Sequence, residues 1–433
     1  MSLQQFTGAE EEADRRVTTL ELFFDLVFVF TLTQLTVLLA HDLTFATAGR
    51  VALIFVVLFW MYGAYAYLTN QVPPDRPARR LLLLLGMGGF LVCALAVPRA
   101  FGDAAAGTVF GLGYLLVVLV HSALYTRSHG RDVIWYAIPN SAAALAITAA
   151  GPAEGIAADG LWVLALVLQF VTPYISQYRP GRRDGRTPDD LRVQLGGIDP
   201  AHFVERHGLL LIVAFGESVI AIGIGIGDLP LTPGIFGGTF LALALAAALW
   251  WTYFVRDEHA AEVVFRRTAP PDRFRLAMNA FYYCFLPMLL GIAALAAGIK
   301  KVLGHLGEPL ATAPTVALAG GVALFLAGET AFRAALKLAP LRFRAVTALL
   351  AVATVPVGLR HSGLAQLIAL VVLVVAMLAV EHRSLPTAAH PESSRRAPDG
   401  DGSEDGVPAV PPGRTGGEPG REPGGRGPAA RPA

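Results

Sequence analysis

Glu21 and Asp25 stand four residues apart inside "VTTLELFFDLVFVFTLTQLT" (17–36), a run that is otherwise apolar apart from threonines and Gln34. That spacing puts both carboxylates on one helical face, where one basic partner or one wet cavity can serve them. Measured from Arg15 and Arg16 at 1.5 Å per residue, Glu21 lies about 8 Å and Asp25 about 14 Å along the helix. An aspartate at the centre of a membrane helix costs about 2.5–3.5 kcal/mol to insert, so this face is expected to turn away from lipid. "ERHGLLLIVAFGESVIAIGIGIG" (205–227) repeats the feature: Glu217, followed by Ser218, lies beyond Glu205 and Arg206, about 17 Å along a helix. Two chemistries are open to such carboxylates. They can bind and release protons in a protected cavity, or they can pair with cations and fasten helices.

Other polar residues in apolar surroundings widen the candidate set. Glu329 and Arg333 stand at i and i+4, an order that favours an ion pair. His121 is a lone histidine, either hydrogen-bonded in a core or protonatable. Asp257, Glu258 and His259 in "RDEHAAE" (256–262) are weak metal-ligand candidates, with a solvated helix end as the simpler reading. His202 and His207 lack the i, i+4 spacing of a zinc helix. Gly216, Gly223, Gly225 and Gly227 are expected to allow close helix approach. They are spaced wrongly for a nucleotide-binding loop. No Ser/His/Asp set, phosphate loop or nucleic-acid patch is legible, and no cofactor is implied.

The elements that position these residues are set by composition. Of 433 residues 54% are hydrophobic and only 15% charged, against about 25% charged in soluble domains. This is the composition of a membrane protein. Stretches of about 20 apolar residues suffice to span the hydrocarbon, and twelve occur, near 19–40, 49–70, 79–98, 104–126, 132–150, 158–178, 205–226, 232–255, 274–299, 313–336, 341–358 and 362–381. Cys93 and Cys284 fall inside them and read as small buried hydrophobes. Pro139, Pro173, Pro287 and Pro356 interrupt spans and are expected to kink them. With the N-terminus inside, the intervening cytoplasmic segments as far as Arg344 hold 22 Lys and Arg, and the external ones five: Arg50, Arg99, Lys300, Lys301 and Arg360. The excess of positive charge places both termini in the cytoplasm.

The expected architecture is an all-α polytopic membrane protein of about twelve transmembrane helices. It divides into a cytoplasmic segment (1–16), a six-helix half (17–178), a polar linker (179–204), a second six-helix half (205–383) and a Pro/Gly/Arg-rich tail (384–433) expected to be disordered. "HDLTFATAGRVALIFVVLFWMYGAY" (41–65) parallels "GDLPLTPGIFGGTFLALALAAALWWTYF" (227–254). A second pair, 101–127 and 306–333, sets His121 opposite Glu329. Two like-oriented repeats are therefore expected, as in parallel-repeat transporters. In such a bundle the first and seventh spans meet at the central axis, and Asp25 and Glu217 would approach one another near the midplane.

With "LELFFDLVFVFTLTQLT", "HFVERHGLLLIVAFGESVIAIG", "FYYCFLPMLLGIAALAAGIKK" and "GGVALFLAGETAFR" in hand, the chain resembles the bacterial low temperature requirement protein A family over roughly 17–381. Where that family's third motif carries a histidine before its proline, this chain has Cys284 and Phe285. The resemblance implies a multi-pass bacterial inner-membrane protein and points at Glu21, Asp25, Glu205, Arg206, Gly216, Glu217 and Ser218. It implies no biochemical activity. Three readings are open. The first is a secondary transporter, coupled to protons through Asp25 and Glu217, with the lipid bilayer and a small solute as its partners. The second is a non-transporting scaffold or a cold or lipid sensor, and the third a membrane-embedded enzyme using His259 and its acidic neighbours. The sequence indicates no oligomeric state.

Overall fold

The computed structural model describes residues 16–129, 134–178 and 197–384, and no strand occurs among them. Helices run over Thr19–His41 (α1), Phe45–Gln71 (α2), Pro77–Arg99 (α3), Ala104–His129 (α4), Ile134–Ala150 (α5), Gly155–Tyr178 (α6), Pro200–Ile226 (α7), Pro233–Arg267 (α8), Pro270–His305 (α9), Thr312–Ala335 (α10), Arg342–Arg360 (α11) and Gly363–Ser384 (α12). The expected N-terminal segment, most of the expected linker and the tail expected to be disordered lie outside the described residues.

Ten of these helices are long and apolar enough to cross a membrane. The expectation of twelve is therefore met in part. α5 has 17 residues and carries Pro139 inside it, and α6 qualifies only as a shorter apolar helix over Gly155–Val171. All backbone groups of a helix bond within the segment, which is why uninterrupted apolar sequence takes this form in lipid. Starts are written into the sequence. Thr18 and Glu21 form a reciprocal capping box at α1, and Asp199 and Thr232 cap α7 and α8 just ahead of Pro200 and Pro233. Proline suits that first position because its missing N–H is an orphan there anyway.

Large apolar side chains such as Leu81, Phe240 and Leu349 are exposed around the outside, while charged ones such as Asp25, Arg206, Glu329 and Arg344 are buried. The interior is aromatic at the junction of α1, α2 and α3. Phe28 lies 4.4 Å from Tyr62 ring to ring, and Phe24 lies 5.4 Å from Phe90, edge to face.

Packing runs in the same order through both halves. α1 packs on α2 and α3, α3 on α4, α4 on α5, α5 on α6, and α2 on α6. α7 packs on α8 and α9, α9 on α10, α10 on α11, α11 on α12, and α8 on α12. Across the middle, α1 and α2 meet α7 and α9.

Two helices change phase midway. α8 passes through a π turn at Tyr253–Asp257 and α9 through another at Ala277–Tyr283. Such turns insert an extra residue and rotate the helix beyond them. In α8 that leaves Asp257 facing inward and buried.

Candidate functional site

Arg206 of α7 reaches across the middle of the bundle and lies between the two carboxylates of α1. Its Nη2 and Nε donate to Asp25 Oδ1 at 3.1 and 3.3 Å, and its Nη1 donates to Glu21 Oε1 at 3.2 Å and to the Thr69 hydroxyl. The guanidinium also lies over the rings of Phe24 and Tyr62, 5.6 and 5.8 Å from their centroids, a cation–π arrangement. The Tyr62 hydroxyl adds a third donor to Asp25 Oδ1, at 3.0 Å. Glu21 is held from its own helix by the Thr18 amide at 3.0 Å and hydroxyl at 2.8 Å. His202, one turn before Arg206, closes the group. The Asp199 amide donates to Asn70 Oδ1, so the Asn70 amino group points at His202 Nδ1, and Nε2 faces Glu21 Oε2 at 3.2 Å. All the ionic members of this clasp are buried. Desolvated charges of this kind persist only with close partners, and here Arg206 has two, Glu21 and Asp25.

A second clasp lies further along the same two helices. Glu217 Oε2 accepts from the Thr33 hydroxyl of α1 at 2.7 Å, and Oε1 accepts from Lys300 Nζ of α9 at 3.2 Å. The two helices of the second half cross tightly here: a methyl group on Gly225 would stand 3.1 Å from the Lys300 Cα.

Asp25 and Glu217 thus do not come together as expected. Asp25 faces Arg206, and Glu217 is eleven residues beyond Arg206 on α7, about 16 Å along the axis. The two helices meet, but their carboxylates are bound at different levels because each has its own cation. Between and beside the clasps, Asp25 Oδ2, Ser218 Oγ and Thr36 Oγ1 are buried without a hydrogen-bond partner.

A third group fills one end of the second half. Asp257 accepts from Arg333 at 3.1 Å and Arg344 at 2.6 Å, and Glu381 accepts from Arg333 at 2.7 Å and from Arg344 Nε at 3.3 Å. One expectation and one weak candidate are corrected by it. Glu329 does not pair with Arg333 one turn on, because Arg333 is engaged by Asp257 and Glu381; its close cation is Arg344, at 2.8 Å. Nor do Asp257, Glu258 and His259 form a metal set. Asp257 is taken by the two arginines, Glu258 faces Gly208 of α7, and His259 is exposed. Among the described residues no group of three or more His, Cys, Asp or Glu is arranged to hold a metal.

The remaining candidates have plain surroundings. His121 is buried among the rings of Tyr65, Tyr125 and Tyr136, with Nδ1 unbonded. Glu205 accepts from the Val17 amide at 3.3 Å. Gly216 and Gly223 have open space where a side chain would go, so they are not close-approach glycines. Gly225 is one, and Gly227 ends the helix with φ of 47°. Cys93 and Cys284 are free and buried, as read from the sequence.

Sequence reasoning passed over His202, Lys300, Arg344 and Glu381 as site residues. A signal existed for two of them. His202 and Arg206 share the i, i+4 spacing of Glu21 and Asp25, a matching pair of faces. Lys300 is one of only three lysines beside 31 arginines, and it ends an apolar helix.

The model of the family "Bacterial low temperature requirement A protein" matches residues 16–380. An uncharacterized protein of Rhizobium meliloti (strain 1021), RA0937, is 30% identical over 320 residues, which cover 71% of this chain and 75% of that protein.

Proposed function

The chain belongs to the bacterial low temperature requirement A family, and from that premise we propose that it is a secondary transporter of the bacterial inner membrane. In this reading all twelve helices cross the bilayer, in two like-oriented repeats of six, with both termini cytoplasmic. The repeated packing order of α1–α6 and α7–α12 supports the repeats. The uneven distribution of Lys and Arg supports the orientation.

One observation carries the function. Buried polar contacts join the two halves at two depths along α1 and α7: Glu21 and Asp25 to Arg206 and His202, and Thr33 to Glu217 and its Lys300. A carrier that opens to one side at a time needs a separable contact at each end of its central seam. Ionic contacts in a dry interior are strong when closed and become hydrated when opened. Opening one clasp exposes carboxylates to water and to protons while the other clasp keeps the far side shut. Asp25 and Glu217 are then the proton-exchanging groups, each released when its cation withdraws. The transported species is a small solute, and no catalysis forms part of this reading.

The test is flux in reconstituted vesicles carrying a pH-sensitive dye. An imposed solute gradient should move protons through wild-type protein, and Asp25→Asn or Glu217→Gln should abolish the coupling while the protein stays folded. Absence of flux across a broad solute panel, together with stability that depends on lipid, supports the second reading, a non-transporting membrane scaffold. One feature favours that alternative: both oxygens of Glu21 are occupied, by the side chains of Arg206, His202 and Thr18 and by the Thr18 amide.

A further inference from the structure

The cluster of Asp257, Glu329, Glu381, Arg333 and Arg344 lies wholly within the second half and shares no residue with the two α1–α7 clasps. All five are buried. It holds three carboxylates and two guanidiniums, one acid more than it has cations. The charged and phenolic groups facing it come from four helices: Asp257 and Tyr253 from the π turn of α8, Arg333 from α10 beside Glu329, Arg344 from α11 and Glu381 from α12. α9, which also packs on α10, has its lysines at its other end.

The guanidinium protons are unevenly shared. Arg333 serves Asp257, Glu381 and the Ala339 carbonyl, and Arg344 serves Asp257, Glu381 and the Thr252 carbonyl. Arg344 Nη1 stands 2.8 Å from Glu329 Oε1, but its hydrogen bond goes to Asp257 Oδ2 at 2.6 Å. The Thr252 hydroxyl faces Glu329 but donates to the Leu249 carbonyl at 2.6 Å, so neither oxygen of Glu329 receives a well-aligned hydrogen bond, and the Tyr253 hydroxyl is likewise buried without a partner. Glu329 has no exposed surface.

A surplus negative charge in a dry interior is expensive, and neighbouring carboxylates that cannot all ionise share a proton instead. Hydrogen bonds favour the ionised form of the acids that receive them, which leaves the acid that receives none to carry the proton. We infer that Glu329 is an exchangeable proton site: it carries the one proton of a cluster in which Arg333 and Arg344 clamp Asp257 and Glu381. The site stands whether or not the protein transports anything. Arg333 bonds the carbonyl of Ala339 in the loop between α10 and α11, so the buried cluster reaches to the end of α10.

Infrared spectroscopy of the purified protein reads this directly, through the carbonyl stretch of a protonated carboxylic acid. At pH 7 wild type should show the band, Glu329→Gln should lack it, Glu329→Asp should show it displaced, and Asp25→Asn should leave it unchanged. The inference is overturned by a wild type with no such band at pH 7, by a band that survives in Glu329→Gln, or by one that Asp25→Asn removes. If Glu329→Gln does not fold, Glu329→Asp decides: a band in the wild-type position assigns the proton to another group.

Discussion

At the scale of residues, the notable fact is the pairing of scarce charges. Arg206 is the guanidinium between Glu21 and Asp25. Arg206→Leu would leave two carboxylates buried without it, and breaking a buried pair from one side costs about 3–5 kcal/mol. A large fall in thermal midpoint in detergent is expected. Arg206→Lys should recover only part of it, since an ammonium cannot reach both acids with a planar fork. For the second clasp, Glu217→Gln and Lys300→Met should each destabilise, and the double variant should lose less than their sum. A double-mutant cycle should return a coupling of about 0.5–3 kcal/mol, and zero coupling would mean that the two side chains are neighbours without being partners. The carboxylates were legible in the sequence because a charge in an apolar run is conspicuous against its neighbours. Their partners were less so. Arg206 and Lys300 lie near helix ends, where basic residues also mark the membrane surface, and a linear string does not say which helix end meets which.

At the scale of elements, the crossing of α9 and α10 rests on backbone contact. A methyl group at Gly291 would stand 2.6 Å from the Phe325 nitrogen, and one at Gly321 would stand 2.5 Å from the Leu295 nitrogen. These glycines let the two helices touch along their backbones. Gly321→Val should therefore separate them, destabilising the protein by about 1–3 kcal/mol or more. Gly216→Ala, with open space around it, should be close to neutral in the same unfolding assay. Sequence reading chose the α7 glycines instead, since a run of alternating glycines stands out and an isolated pair on two helices does not. Helix starts were written unevenly: Thr232–Pro233 marks the start of α8 where the sequence reading put it, whereas α7 begins at Pro200, capped by Asp199, five residues before the expected 205 and inside the expected linker. The π turns carry no comparable signature, which is why Asp257 reads as an interfacial residue in the sequence and is turned inward in the structure.

At the scale of the molecule, the proposed orientation makes a simple demand. A cysteine replacing exposed Asp75 would face the cytoplasm and one replacing exposed Gly102 would face outside. An impermeant maleimide added to intact cells should label the second and spare the first, and the reverse pattern would invert the topology. Cys93 and Cys284 are buried, so the background should be low. The helical membrane class was readable from hydropathy because lipid imposes it on any apolar chain of this kind. The meeting of α1 and α7 followed from the repeat reading, but the share of α2 and α9 in that seam did not, since it is made of contacts far apart in sequence.

That seam also contains a natural lamp. Trp60 of α2 donates its indole N–H to Asn140 at 3.0 Å on one side and meets the Tyr282 ring of α9 edge-on at 5.4 Å on the other. Trp162 stacks on Phe101 within the first half, and Trp251 is exposed on the outer surface. Any motion that parts the halves moves Tyr282 away from Trp60 and alters the indole's surroundings, so the protein's own fluorescence should register opening and closing without an added label.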